Sequence, residues 1–275
     1  MRIEEQQLEF RGHHLHRLIL HPEGLPKGNL IFFHGQGDFI DRYPPVLEAF
    51  THHGLTCVLT DLPGHGRSSG MRGHVPSSEF VDALFEKTLC ETVGPHSIAG
   101  HSMGGMLALR AFLKSPQRFK FAWFSSPLLE PSRQGHPLIK ITLPVIASLF
   151  PWITWSTGVK ADDCRTGGSD EPREDSEAAP LYHSKISLGW AKELIAVGKE
   201  LENTMLSLPS QPPILFSQGS ADSICPAEIL KQRLEKLPID QVSYQEIEGA
   251  LHEPFAGESA EEFEKILKAF AQKVS

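Results

Sequence analysis

The segment Gly100-His101-Ser102-Met103-Gly104 fits the pattern G-x-S-x-G, which sets a serine at the tip of a tight strand-to-helix turn. The strand-like run Ser97-Ile98-Ala99 precedes it, and a run rich in Leu, Ala and Met begins at Met103. Glycine at 100 and 104 leaves room for neighbouring backbone, while the turn pushes Ser102 into a strained conformation. The helix start then points unpaired N–H groups toward developing negative charge. Such a serine is suited to attack on a carbonyl; the plainer reading is a tight turn carrying an inert hydroxyl. A serine needs a base to be a good nucleophile, and the base needs a carboxylate to orient it. Both occur downstream, in the order serine, acid, histidine. Asp222 follows the run Pro213 to Gln218 through Gly219-Ser220-Ala221, and His252 follows the next run through Glu248-Gly249-Ala250-Leu251. Both are expected on loops at the carboxyl ends of strands, on the rim that carries Ser102. For Asp222 the structural alternative is a solvated or helix-capping aspartate before Pro226. Glu253, adjacent to His252, is badly placed to orient that ring, and Asp163 is a weaker rival still.

Acyl transfer also needs donors for an oxyanion. One is expected from the backbone N–H of Met103, and the second from the loop Gly35-Gln36-Gly37 after Ile31-Phe32-Phe33-His34, with the Gln36 N–H best placed. A plain glycine turn is the alternative there. His34 is expected to prop this loop by hydrogen bonding. The second glycine turn, Leu62-Pro63-Gly64-His65-Gly66-Arg67-Ser68, follows another strand, and its Asp61 and His65 read as structural.

These residues need a frame that brings distant loops to one rim. Apolar runs at Asn29 to His34, Thr56 to Leu62, His96 to Ala99, Phe119 to Ser125, Pro213 to Gln218 and Val242 to Ile247 read as buried strands. Leu8 to Leu20 could open the chain as a hairpin through Gly12-His13-His14. Helical patterns alternate with them at Tyr43 to His53, Ser78 to Val93, Met103 to Lys114, Ala227 to Leu237 and Ala260 to Gln272. The alternation predicts an α/β fold, a mostly parallel central sheet with helices on both faces. From Pro127 to about Gln211 no strand signal is seen, too long for an ordinary connection. This stretch is expected to be a helical cap inserted after the sixth strand, dividing the chain into a core of 1–126 and 212–275 and a cap of 127–211. Within it, Pro137 to Trp155 is dense in apolar residues, Asp170 to Glu177 reads as a solvated acidic loop, and Ser187 to Glu202 looks helical. The apolar segment has two readings, ordinary cap core or the wall of an acyl pocket that also touches a lipid surface.

The whole-chain composition narrows the partners. At 275 residues with a 40% hydrophobic fraction the chain can bury one large core. The net charge of −8, from 34 acidic and 26 basic residues, argues against a nucleic-acid partner, and no basic stripe stands out. Met1 to Gln7 carries acidic and amide residues where a signal peptide has its apolar core, and no apolar stretch is long enough for a bilayer, so a cytoplasmic location is the default expectation. Cys57, Cys90, Cys164 and Cys225 show no metal-site spacing and are expected as free thiols. No cofactor and no metal are expected.

The motifs together resemble the monoglyceride lipase and lysophospholipase branch of the α/β-hydrolase superfamily, also called the serine aminopeptidase S33 type. The likeness rests on His34-Gly35-Gln36-Gly37-Asp38 with Arg42-Tyr43, Asp61-Leu62-Pro63-Gly64-His65-Gly66-Arg67-Ser68 and Gly100-His101-Ser102-Met103-Gly104-Gly105. Gln218-Gly219-Ser220-Ala221-Asp222 and Gly249-Ala250-Leu251-His252-Glu253 complete it. It implies the α/β-hydrolase fold and a cofactor-free serine esterase, with Ser102 attacking an ester carbonyl, His252 taking its proton and Asp222 holding the imidazole. Two features depart from that pattern: Gln36 stands where a small residue is more usual, and the acidic loop has no familiar counterpart. The expected substrate is a lipid-like monoester, a monoacylglycerol or lysophospholipid, with Gly35, Ile146, Leu149, Phe150, Trp152 and Trp155 near its pocket. Peptide, amide or thioester cleavage by the same triad is an alternative, as is a non-catalytic ligand-binding relative. Peripheral contact of the cap with a membrane or micelle is a further expectation.

Overall fold

The computed structural model describes residues 1–131, 146–166, 181–209, 211–237 and 242–274. In chain order the strands are β1 (Arg2–Phe10), β2 (His13–His21), β3 (Gly28–Phe33), β4 (Leu55–Thr60), β5 (His96–His101), β6 (Phe119–Ser125), β7 (Thr154–Ser156), β8 (Lys185–Ser187), β9 (Ile214–Gly219) and β10 (Val242–Ile247). All but β7 and β8 form one sheet in the order β1-β2-β4-β3-β5-β6-β9-β10. β1–β2 and β2–β4 pair antiparallel and every later pair is parallel.

The helices are α1 (Pro44–His52), α2 (Ser78–Glu91), α3 (Met103–Lys114), α4 (Ala161–Cys164), α5 (Leu188–Thr204), α6 (Ala227–Leu234) and α7 (Ala260–Val274). Alternation along the strands divides the core between two layers. Leu30, Phe32, Trp123 and Leu215 meet α1 and α7 through Leu47, Phe50, Phe263 and Leu267. Ile31, Phe33, Ile98 and Phe124 meet α2, α3, α5 and α6 on the opposite face. This is the α/β-hydrolase fold, with a largely helical insertion after β6.

The opening hairpin is longer than the sequence suggests. β1 begins at Arg2, and the turn is Arg11-Gly12, with φ of 47° and 81°. Both residues are in the left-handed region that a two-residue hairpin turn requires. β1 is an edge strand with little burial, so its Glu and Gln residues hide it from a search for apolar runs. The insertion also holds a small ribbon where no strand was expected, since β7 and β8 pair antiparallel from Thr154↔Ser187 to Ser156↔Lys185. Three-residue strands are too short to leave a periodic signal. Part of the apolar run (residues 137–145) and the acidic loop (170–177) lie outside the described residues. Among the described residues no helix is long and apolar enough to cross a membrane.

Candidate active site

β5 runs into α3 through Ser102, whose φ of 56° and ψ of −120° are a strained combination for a non-glycine residue. Hydrogen bonds fix the turn from both sides. The Ser102 N–H donates to Ser125 O at 2.9 Å, and Ser102 O accepts from Met106 N and Leu128 N, both at 3.0 Å. The glycines are demanded by sterics: a Cβ on Gly100 would lie 2.3 Å from Gly104 O, and one on Gly104 would lie 2.1 Å from Phe33 O.

Three loops at the carboxyl ends of the strands converge there. His252 Nε2 lies 2.8 Å from Ser102 Oγ, and His252 Nδ1 lies 2.8 Å from Asp222 Oδ2. With the carboxylate accepting, Nδ1 carries the proton and Nε2 is free to accept from the serine. Asp222 is itself held: Oδ1 accepts from the Ile224 and Cys225 amides and Oδ2 from Gln218 Nε2, each at 2.8 Å. Ser102, Asp222 and His252 are all buried. Burial disfavours the charged imidazole, but Asp222 and Cys225 beside the ring together outweigh it and hold the His252 pKa well above its ordinary value. The ring of His101, 4.9 Å from that of His252, is kept neutral by burial. Cys225 completes the surroundings, and burial raises its thiol pKa. Asp222, Cys225 and His252 present donor atoms within 4.8 Å of one another, but the carboxylate is already filled by its four hydrogen bonds.

The loop from 34 to 38 borders the serine. A Cβ on Gly35 would sit 3.5 Å from Ser102 Cβ, at ordinary packing distance. His34 props the loop: its Nδ1–H donates to Gly35 O at 2.8 Å and its Nε2 accepts from Leu62 N at 3.0 Å. The Gln36 side chain reaches the insertion, where Nε2 donates to Lys185 O at 2.8 Å and Oε1 accepts from the Trp190 indole at 3.0 Å. Met103 is the first residue of α3, so its amide has no acceptor within the helix. Asp61 has a structural place, accepting from the Ile40 and Arg67 amides at 2.9 Å each. Its carboxylate also explains Gly66, where a Cβ would fall 2.0 Å from Asp61 Oδ2. Glu253 turns away from His252 to form a two-pronged ion pair with Arg42, at 3.0 and 2.6 Å.

The family model of serine aminopeptidase, S33, matches residues 24–260, which includes every element of this site. The chain belongs to that family. Phospholipase YtpA of Bacillus subtilis is 26% identical over 256 residues, covering 90% of this chain and 96% of that protein. The monoacylglycerol lipase of Mycolicibacterium smegmatis is 25% identical over 248 residues, covering 85% and 84%. Among solved structures, the monoacylglycerol lipase of Paleococcus ferrophilus superposes with a TM-score of 0.85 at 26% identity, covering 95% of this chain and 99% of that one. Against an uncharacterised abhydrolase domain-containing protein of Dictyostelium discoideum, 29% identical, the match covers 79% of this chain but 23% of that longer protein. With Ser102, His252 and Asp222 in a triad-like arrangement, this S33 member is a serine hydrolase.

A cavity of about 180 Å³ adjoins the Asp222 loop of the S33 site. Leu128, Leu129, Ile224, Pro226, Ile229 and Leu230 give it apolar walls, Glu130 and Ser223 add polar groups, and it shares Gln218 and Cys225 with the surroundings of Asp222. Of the residues expected near the pocket, Gly35 packs on Ser102, whereas Ile146, Leu149, Phe150, Trp152 and Trp155 are all exposed and do not line this cavity. Sequence reasoning missed the cavity residues and Trp190. Apart from Gln218, the cavity residues carry no motif of their own and are joined only by the β6–β9 pairing; Trp190 was hidden inside an ordinary helical pattern.

Proposed function

We propose that this protein hydrolyses a lipid-like monoester, a monoacylglycerol or lysophospholipid, through an acyl-enzyme on Ser102. The unbroken Ser102–His252–Asp222 hydrogen-bond chain, with both links at 2.8 Å, carries this reading. His252 Nε2 takes the hydroxyl proton as Ser102 Oγ attacks the ester carbonyl, and Asp222 stabilises the imidazolium. The Met103 and Gln36 backbone N–H groups receive the oxyanion. His252 then returns the proton to the departing alcohol and activates the water that releases the acid.

The lipid-like class is supported by the phospholipase and the monoacylglycerol lipases among the relatives and by the apolar walls of the cavity. Each methylene that it takes from water contributes about 0.8 kcal/mol. Residues 127–211 act as one cap over a core of 1–126 and 212–275. The exposed Leu149, Phe150, Trp152 and Ile153 give that cap an apolar face for a membrane or micelle. The four thiols are free, which suits the cytoplasm.

The deciding experiment is hydrolysis of glycerol monoesters from short to long chain, beside an aminoacyl amide panel, with Ser102→Ala as control. The expected result is a rate that rises with chain length and disappears in the variant. Turnover confined to the amides would discard the lipid ester while leaving the triad in place. Activity that survives Ser102→Ala would remove the nucleophile.

A further inference from the structure

One buried N–H of the insertion stands between the two residues assigned to the oxyanion hole. The Trp190 indole N–H donates to Gln36 Oε1 at 3.0 Å and also lies 3.2 Å from Met103 Sδ. Trp190 is fully buried near the start of α5, and its own amide donates to the capping Ser187 Oγ at 3.2 Å. The ring is therefore fixed from its backbone, and its one polar atom is delivered to Gln36 and Met103.

Gln36 is gripped at both ends of its amide. A residue that supplied only a backbone N–H would need no such side chain, and a small one would serve. Here Nε2 is tied to Lys185 O and Oε1 to Trp190. The next residue is clamped as well. His183 N donates to Gly37 O at 3.1 Å, and a Cβ on Gly37, whose φ is 74°, would lie 1.9 Å from His183 O. Residues 183–190 thus set the position of the loop that borders Ser102. Stabilisation of an oxyanion depends on donors held in place before charge develops, so small errors in their aim are costly.

We propose that Trp190 is a positioning residue for the oxyanion hole, its indole N–H shared between Gln36 and Met103 so that the hole is complete only with α5 docked. The proposal rests on the assignment of the Gln36 and Met103 amides as the oxyanion donors. Trp190 does not touch the reacting atoms; it acts through the two residues that do.

The test compares an ester with its thionoester, in which sulfur replaces the carbonyl oxygen. Sulfur is larger and a poorer hydrogen-bond acceptor, so a well-aimed hole turns over the oxygen ester faster. Trp190→Phe keeps a ring and removes the N–H; Gln36→Met keeps the length but removes both the acceptor for Trp190 and the Nε2 donor to Lys185 O. Each is expected to lower kcat for the ester about tenfold, less than the roughly 10²–10³ for loss of a whole donor. KM should stay unchanged, the ester-to-thionoester ratio should collapse, and the double variant should be no worse than the poorer single one. Equal slowing of both substrates would overturn the proposal and leave Trp190 as core packing. If Trp190→Phe does not fold, Gln36→Met read against Gln36→Glu, which keeps an oxygen for the indole and loses the donor to Lys185 O, decides by the same ratio. A wild-type protein that hydrolyses the ester without discriminating against the thionoester would instead refute the oxyanion assignment itself.

Discussion

Residues 146–155 and residues 181–204 belong to the same insertion, yet they meet the rest of the molecule in opposite ways. The first limb turns Leu149, Phe150, Trp152 and Ile153 toward solvent, with 64%, 46%, 52% and 46% of their surface exposed. The second buries Trp190, Leu194, Val197 and Leu201 in the same core as α2 and α3. Polar contacts repeat the contrast. Glu193 accepts from both the amide and the hydroxyl of Ser78 at the start of α2, and Arg110 on α3 joins Glu200 on α5 to Asp82 on α2. His183 accepts from Lys185 N and donates to Gly64 O, and burial pushes its pKa down to about 4, so it stays neutral in that role. The returning limb is energetically part of the core and the outgoing limb is not. The two limbs are joined, Leu188 N to Ile153 O and Gly189 N to Pro151 O at 2.9 Å each, but it is the returning limb whose large apolar side chains pack into the core.

The largest effect expected from this division falls outside both limbs, on the core loops. Asp222→Asn should lower kcat about 10³–10⁴-fold on any ester, short or long, because it removes the charge that orients and stabilises the histidine. The pH profile gives the sign. His252 must be neutral to act as base, and its pKa is raised, so wild-type activity falls as pH drops through a value above that of an ordinary histidine. In Asp222→Asn the acid limb of the residual activity should move to lower pH. An acid limb that stays in place would show that Asp222 does not govern His252. Next in size is stability on the returning limb. Leu201→Ala should cost about 2–5 kcal/mol, read as a lower denaturation midpoint, since it opens a cavity where α5 meets the core. A change under about 0.5 kcal/mol would show that α5 docks only loosely and would erase the contrast.

How much of this was legible in the sequence follows the physics of each element. The elbow, the acid and the histidine were legible because tight glycine turns after strands have few alternatives, and Gly100, Gly104 and Gly219 have no space for a side chain. The central parallel strands showed as apolar runs because both of their faces are covered, whereas β10, also expected as a buried strand, is a partly exposed edge strand with only Ile247 buried. β1 was half missed because an edge strand can be polar. β7 and β8 were missed because three residues have no period. What could not be seen was any partnership across long separations between unremarkable residues. Trp190 meets Gln36 across 154 positions, and no local pattern records it. Leu128 and Ile229 share a cavity only after β6 and β9 have paired.

The smallest effect on the folded protein is expected on the outgoing limb, and it bears most directly on what that limb is for. Phe150 and Trp152 touch each other edge to face at 6.2 Å, and each is about half exposed. Replacing both with serine removes apolar surface that is already in water, so the denaturation midpoint should shift by less than about 0.5 kcal/mol. Hydrolysis of a short soluble ester should be unchanged, because the contacts of Phe150 among the described residues are local, to Ile146, Trp152 and Ile153. If the limb meets a lipid surface, turnover of a long-chain monoester presented in micelles should fall, and so should co-sedimentation with phospholipid vesicles, through loss of the apolar area that would enter the interface. Loss of the micellar substrate alone would assign the outgoing limb to the aggregate in which the substrate arrives. Equal loss on the short ester would mean that this limb also shapes the site, and the division between the two limbs would fail.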